Sequence, residues 1–158
     1  MDVIIRKAEP RDVPRMLELV HELALFERAP HEVTVSEPHM LEAGFGPDRV
    51  WVGWVAESQG VILGMAVCYE RYSTWKGRRL YLEDIIVTEA ARGHRIGEKL
   101  FMACVRHAVE RDYSGMLWQV LDWNTDAIRF YDRFGSNYSA EWLNGSLEKE
   151  QLKNLATR

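Results

Sequence analysis

Three signals of common protein classes are scarce in this sequence of 158 residues. It has only two cysteines, Cys68 and Cys104, each inside an apolar stretch, which excludes a disulfide framework and predicts buried free thiols. The histidines show no metal-ligand spacing, so no metal is expected. No apolar run approaches membrane-spanning length, and the first residues lack the apolar segment of a signal peptide. We therefore expect a cytoplasmic protein with no membrane partner.

A strong excess of one charge is also missing. The formal net charge is -4, and no basic stripe of the kind that binds nucleic acid is present. We therefore expect no nucleic-acid partner. A mildly acidic protein is compatible with a cationic small molecule as its ligand.

The composition is that of an ordinary globular protein. Apolar residues make up 47% and charged residues 28% of the chain, as in soluble folds generally. The length fits one domain, which we predict to span residues 1–158. A chain of this size buries roughly two-thirds of the surface that its unfolded form exposes, so neither disulfides nor metal are needed to stabilise its core.

Hydrophobic periodicity predicts a mixture of strands and helices. We predict strands at 3–6, 50–57, 61–72, 79–87, 116–121 and 138–143, and helices at 13–24, 37–42, 96–109, 125–133 and 147–155. The short connections between the three middle strands make them antiparallel neighbours, and a strand-helix-strand crossover follows them. This order predicts an α/β fold of the α+β type, with a mixed, mostly antiparallel central sheet flanked by helices.

The most informative segment is a basic loop between a strand and the long helix, Arg92-Gly93-His94-Arg95-Ile96-Gly97. A loop that opens a helix presents free N–H groups at the positive end of the helix dipole, and the two arginines and the histidine add positive charge. The loop matches neither GxxxxGK[ST] nor GxGxxG. From these residues alone, an anion site and an ordinary turn with solvated arginines are equally good interpretations.

Further segments accompany this loop along nearly the whole chain. They are Glu22-Leu23-Ala24, Leu41-Glu42-Ala43-Gly44-Phe45-Gly46, Leu80-Tyr81-Leu82-Glu83-Asp84, Trp123-Asn124, Phe130-Tyr131 and Trp142. With the loop, they resemble the GNAT superfamily of acetyltransferases, in which such a loop binds the acetyl-CoA pyrophosphate. More narrowly, they resemble its spermidine/spermine (diamine) N-acetyltransferase branch with the thialysine-acetylating relatives. The resemblance implies the GNAT fold, acetyl-CoA as cosubstrate and a small amine as acceptor.

The resemblance also implies the catalytic pair. Glu83 occupies the general-base position and Tyr131 the position of the general acid that protonates the departing thiolate. The alternatives are that Glu83 is a half-exposed strand carboxylate or ion-pair partner and that Tyr131 is a core aromatic. Strict strand alternation would place Glu83 on one face with Tyr81 and Ile85, and Asp84 on the other.

The implied coenzyme and amine contacts extend this pair. Backbone groups of Ile85 and Val87 would meet the pantetheine arm and the thioester, and Asn124 would cap a helix, contact the coenzyme, or do both. The implied coenzyme-binding residues are Ile85, Val87, Arg92, Gly93, His94, Arg95, Ile96, Gly97, Asn124 and Tyr131. The implied amine site combines carboxylates with aromatic rings, which suits an extended cation although each ring alone could equally be core packing. Its residues are Glu27, Trp75, Tyr81, Glu83, Asp84 and Trp142.

Three positions depart from the family pattern. Arg95 stands where glycine is usual. A bulky residue is tolerable at this position if the backbone stays helical there. Ser73-Thr74 replaces an acidic residue of the polyamine enzymes, and Asp132 replaces a basic one. These changes leave the chemistry intact and bear on which amine is used.

We therefore expect an enzyme that transfers acetyl from acetyl-CoA to a polyamine, diamine or thialysine-like amine by direct attack in a ternary complex. A protein acceptor and a non-catalytic acyl-CoA-binding module are the alternatives. Members of this branch look like homodimers that exchange C-terminal segments. Residues 138–143 and the last helix would do the same here, or would complete their own sheet.

Overall fold

A five-stranded sheet in the order β1-β2-β3-β4-β5 organises the first part of the computed structural model, which describes residues 1–158. Neighbouring strands are antiparallel except for the last pair, which is parallel. The strands are β1 (Ile4–Lys7), β2 (Val52–Ser58), β3 (Val61–Ser73), β4 (Gly77–Val87) and β5 (Met116–Trp118). The predicted mixed, mostly antiparallel sheet is confirmed.

Five α-helices accompany the sheet, close to their predicted positions. They are α1 (Val13–Phe26), α2 (Glu37–Phe45), α3 (Ile96–Glu110), α4 (Thr125–Asp132) and α5 (Lys149–Ala156). The predicted cap of α2 is present, because the Ser36 hydroxyl accepts the His39 N–H at 3.2 Å. None of the helices combines the length and the apolar character that crossing a membrane requires.

The chain divides into two compact units, Met1–Leu121 and Asp122–Arg158. The first contains the sheet and α1 to α3, and the second contains α4 and α5. Each unit is described by itself below, and one domain over residues 1–158 stays a prediction.

Helices α1 and α3 cover opposite faces of the sheet. Val67 of β3 belongs to the same buried cluster as Met16 and Leu19 of α1. The next residue, Cys68, has its sulfur 3.5 Å from that of Cys104 in α3, and successive strand residues point to opposite faces. Burying a side chain such as Leu19 stabilises the fold by about 1.5–3 kcal/mol.

A β-bulge in β4 interrupts the pairing at Glu83. Val67 pairs with Asp84 and Cys68 with Leu82, so Glu83 has no partner on β3. On the other edge, β5 pairs only with residues 80–82 of β4. Residues 83–87 therefore form a bulged strand end that has no neighbouring strand on the β5 side.

Two predicted strands differ from the structure. The strand at 116–121 ends at Trp118, and residues 138–143 form neither strand nor helix. A strand requires a partner for its backbone N–H and C=O groups, and the unit Asp122–Arg158 contains no strand. The prediction of a last strand at 138–143 is therefore wrong for the structure of this chain.

Candidate active site

Acidic and aromatic side chains meet at the bulged end of β4. The Tyr69 hydroxyl donates a hydrogen bond to a Glu83 carboxylate oxygen at 3.0 Å. The rings of Tyr69 and Tyr81, which pair across β3 and β4, are 5.1 Å apart. Burial and the charge of Glu83 raise the pKa of Tyr69 to about 12. The hydroxyl therefore stays protonated and keeps donating to the carboxylate at neutral pH.

Asp84 is the most perturbed acid of this cluster. Burial, together with the charges of Glu83 and Glu27, raises its pKa from 3.8 to about 6. Burial also raises the pKa of Glu27, the residue at the C-terminal end of α1. The carboxyl groups of Glu83 and Glu27 thus lie close enough to act on Asp84, and a cation beside Asp84 would relieve that repulsion.

The bulge changes the expected orientation of these residues. Strict alternation predicts that Asp84 points away from Glu83 and Tyr81. In the structure, alternation stops at Glu83, because Asp84 pairs with Val67 and Leu82 with Cys68. Burial raises the pKa of Tyr81, and the charges of Glu83 and Asp84 both add to that rise. A bulge inserts one residue and re-aims its neighbours, so the two adjacent carboxylates act on the same surroundings.

The unpaired edge of β4 continues from this cluster. Ile85 and Val87 pair with Ala66 and Gly64 of β3, and no strand lies on their other side. The Arg92 side-chain Nε donates to the Val87 carbonyl at 3.2 Å and folds the following loop back towards the strand end. An edge of this kind offers backbone hydrogen-bonding groups to an extended ligand.

The basic loop after β4 is exposed between two buried anchors. Arg92, Gly93, His94 and Arg95 all face solvent, whereas Ala91 and Ile96 are 2% and 1% exposed. Helix α3 starts at Ile96 and continues through Gly97. Charged side chains and the free N–H groups of the first helical turn therefore lie together, as an anion site requires.

The condition under which a bulky residue is tolerable at position 95, a backbone that stays helical, is not met by Arg95. Arg95 has φ 58° and ψ 22°, in the left-handed region, and Gly93 has φ 87°. Helix α3 begins only at the next residue, so Arg95 occupies the N-cap position, where the chain turns into the helix. A side chain with a Cβ pays a conformational cost there that glycine avoids.

The unit Asp122–Arg158 contains three of the predicted site residues. The Asn124 side chain accepts the Ala127 N–H at 3.2 Å, which confirms its role as N-cap of α4. Tyr131 is 5% exposed, with its ring 5.2 Å from that of Phe130. Trp142, in contrast, is 75% exposed in the segment without regular structure.

The pairing of the strands removes one aromatic residue from the predicted site and adds another. Trp75 lies in the β3–β4 turn and is 84% exposed, roughly 20 Å along the strand from Asp84 at about 3.3 Å per residue. The structure thus separates Trp75 from the acidic cluster of its own chain. Tyr69 joins the cluster but was not predicted, because only the β3–β4 register, which places it opposite Tyr81, identifies it.

Comparison with known proteins defines the class. Residues 14–136 match the model of the Acetyltransferase (GNAT) family. The chain therefore belongs to this family and is an acetyl-transferring enzyme, which confirms the resemblance seen in its motifs.

More particular similarities lie within that class. The chain is 36% identical to the thialysine N-epsilon-acetyltransferase of Mus musculus, over 98% of this chain and 97% of the relative. It is 31% identical to the human spermidine/spermine N(1)-acetyltransferase-like protein 1, over 96% of this chain but 23% of that longer protein. Its fold is similar to that of the aminoglycoside N-acetyltransferase AAC(6')-Iy in complex with CoA, with a TM-score of 0.73, 16% identity, and coverage of 94% and 95% of the two chains.

Proposed function

We propose that this enzyme transfers acetyl from acetyl-CoA to a primary amine of a polyamine, diamine or thialysine-like molecule in a ternary complex. The observation that carries the proposal is the cluster of Glu27, Glu83 and Asp84 beside the unpaired end of β4. Carboxylates suit a cationic acceptor, and the free edge suits an extended thioester. The names of the thialysine and spermidine/spermine relatives support this acceptor class.

The transfer needs a neutral amine and a protonated leaving group. Glu83 removes the ammonium proton, through a water molecule, and the amine nitrogen then attacks the thioester carbonyl carbon. The C–S bond breaks as the new C–N bond forms, and Tyr131 gives its proton to the departing thiolate. Tyr69 holds the Glu83 carboxylate through its hydrogen bond.

The coenzyme would lie along β4 and the basic loop. Backbone groups of Ile85 and Val87 would bind the pantetheine arm and orient the thioester carbonyl. The pyrophosphate would meet the N–H groups and side chains of the loop Arg92, Gly93, His94, Arg95, Ile96 and Gly97. Asn124, which caps α4, would contact the coenzyme as well. This chemistry uses no metal.

Asp84 gives the proposed amine site a pH dependence. Its pKa is raised from 3.8 to about 6, so its negative charge is complete only above that pH. An ammonium ion binds the ionised form more tightly. We expect the KM for the amine to fall as the pH rises through about 6, and Asp84→Asn to abolish that dependence. Persistence of the same profile in Asp84→Asn would assign it to another group.

The amine itself is best determined with a panel. Release of free coenzyme A is measured with spermidine, spermine, putrescine, thialysine, lysine and an arylalkylamine. The absence of an acidic residue at Ser73-Thr74 favours thialysine over spermidine. Coenzyme binding without release for any amine would oppose the proposal and favour a peptide acceptor or a binding module.

Two substitutions test the catalytic pair. Glu83→Gln and Tyr131→Phe remove the proposed base and acid, and each should lower kcat by about 10²–10⁴-fold while the Kd for acetyl-CoA changes little. Tyr69→Phe removes only the hydrogen bond to Glu83 and serves as the matched milder variant. Full turnover in both main variants would reject the assignment.

We further propose a homodimer formed through the C-terminal segment. Trp142, Leu143 and Leu147 are 75%, 95% and 52% exposed, and burying such side chains in a partner is favourable. Sedimentation should show a dimer at micromolar concentration, and Trp142→Ser with Leu143→Ser should shift it to monomer. Val109→Ser, which removes an exposed apolar side chain of α3, is the control. A monomeric wild type would refute the dimer.

The proposed location is the cytoplasm. Cys68 and Cys104 are free although their sulfurs are 3.5 Å apart, which suits a reducing compartment. Fractionation of cells that express the protein tests this, and recovery outside the cytosolic fraction would contradict it.

A further inference from the structure

Helix α1 reaches the connection between β4 and the basic loop through Glu22. The Thr88 hydroxyl donates to both carboxylate oxygens of Glu22, at 3.2 and 3.0 Å, and the Glu89 N–H donates to one of them at 3.1 Å. These partners lie 66 and 67 residues away in sequence. The contact therefore joins an element on one face of the sheet to the segment that leads into the loop.

A second contact of α1 falls on the loop itself. The Arg92 guanidinium lies over the Phe26 ring, 5.8 Å from its centroid, and Arg92 also donates to the Val87 carbonyl. Phe26 follows Glu22 by four residues, so both side chains lie on the same side of the helix. The segment from Val87 to Arg92 is thus tied to α1 near its beginning and at its end.

We propose that Glu22 is a positioning residue that fixes the loop for the coenzyme pyrophosphate. Exposed loops lose conformational freedom when a ligand orders them, at a cost of about 1–2 kcal/mol for each backbone residue, and a loop held in advance avoids part of that loss. Glu22 is placed to hold the loop without touching the phosphate groups, since its acceptor atoms already bind Thr88 and Glu89. The inference rests on the proposed use of acetyl-CoA.

The test compares a probe that carries the pyrophosphate with one that does not. Coenzyme A carries it together with the adenosine 3'-phosphate, and pantetheine has only the thiol arm. A change in the calorimetric Kd of coenzyme A alone therefore lies on the nucleotide side of the ligand, which includes the pyrophosphate at the loop. We expect Glu22→Ala to weaken coenzyme A about tenfold and to leave pantetheine unchanged. Glu22→Gln keeps an acceptor oxygen and should restore most of the affinity.

Matched variants separate positioning from general damage. Glu18→Ala removes the same charge one turn earlier, where Glu18 is 67% exposed and bonded to Arg15, and should change neither Kd. Thr88→Val removes the hydroxyl donor, should weaken coenzyme A about threefold, and should have a smaller effect in the Glu22→Ala background. If Glu22→Ala does not fold, Thr88→Val tests the same contact from its other side.

The outcomes are distinguishable. Equal weakening of both probes, or no weakening of either, in a folded Glu22→Ala protein would overturn the role of Glu22. Failure of the wild type to bind coenzyme A at all would instead overturn the proposed function. The same selectivity should appear in steady-state kinetics as a raised KM for acetyl-CoA with an unchanged KM for the amine.

Discussion

Replacing Arg95 with glycine should stabilise the folded enzyme while weakening its coenzyme binding. Arg95 has φ 58° immediately before α3, and its side chain is exposed. The left-handed conformation destabilises a residue that has a Cβ by roughly 1–2 kcal/mol. Glycine removes that cost but makes the unfolded chain more disordered, which costs about 0.5–1 kcal/mol. The net gain in the free energy of unfolding is therefore about 0.5–1 kcal/mol.

The assay is thermal unfolding of the ligand-free protein, followed by calorimetric titration with coenzyme A. For a chain of this length, 1 kcal/mol shifts Tm by roughly 2–4 °C, so Arg95→Gly should raise Tm by about 1–4 °C. Loss of the guanidinium should weaken coenzyme A by about threefold to tenfold through one fewer charged phosphate contact. A higher Tm together with a weaker affinity for coenzyme A distinguishes this outcome from general destabilisation of the fold, which would lower both.

Arg95→Ala is the decisive control because it removes the charge but keeps the Cβ in the left-handed conformation. It should lose coenzyme affinity as Arg95→Gly does, without the gain in Tm. Asn tolerates this conformation better than most residues, so Arg95→Asn should fall between them. An equal rise in Tm for alanine and glycine would refute the backbone argument and assign the effect to relief of charge repulsion.

Three further predictions concern buried or partly buried side chains of the first unit. The pKa of Asp84 is raised from 3.8 to about 6. The free energy of unfolding of the wild type should therefore decline as the pH rises from 3.8 to about 6. Asp84→Asn should not show this decline, and chemical denaturation at neutral pH should give a gain of about 1–3 kcal/mol; parallel pH profiles would contradict this. Cys68 and Cys104 are both fully buried, and the hydrogen bond with Cys104, together with burial, raises the pKa of Cys68. Neither thiol should therefore react with Ellman's reagent before unfolding, and stoichiometric reaction of the native protein would refute their burial. Asp12→Ala should cost about 1.5–3 kcal/mol of unfolding free energy, because the Asp12 carboxylate accepts hydrogen bonds from both terminal guanidinium nitrogens of Arg6 at 2.7 and 2.9 Å. The pKa of Asp12 is lowered, so this contribution should disappear as the pH falls below 3.8 towards that lowered pKa. A loss that is independent of pH would contradict the ion-pair explanation.

The sequence allowed the fold to be predicted where the signal was local. Apolar periodicity located α1 and α3, and the short connection at Gln59-Gly60 predicted an antiparallel hairpin. Both residues adopt positive φ, 50° and 79°, as the tight turn requires. The segment 138–143 was misassigned because aromatic and aliphatic content indicates apolarity but not whether a partner strand exists.

The candidate site was only partly predictable, because its geometry depends on register. Adjacent Glu83 and Asp84 were visible in the sequence, but their joint action on Tyr81 depends on a bulge that alternation cannot foresee. Tyr69 lies 14 residues from its partner Glu83 and belongs to a strand that looks like ordinary core. The backbone angle of Arg95 was likewise hidden, since an arginine gives no sign of a left-handed conformation.

The bulge and the early end of β5 explain why the proposed chemistry would be concentrated at one place in the sheet. An uncovered strand edge invites pairing with another chain, and proteins oppose this with bulges and charged side chains. Here the edge has no neighbouring strand from Glu83 onward, and the same residue provides the bulge and a carboxylate. The features that keep β4 from pairing with another strand therefore also leave its backbone free for an extended ligand and place the acids beside it.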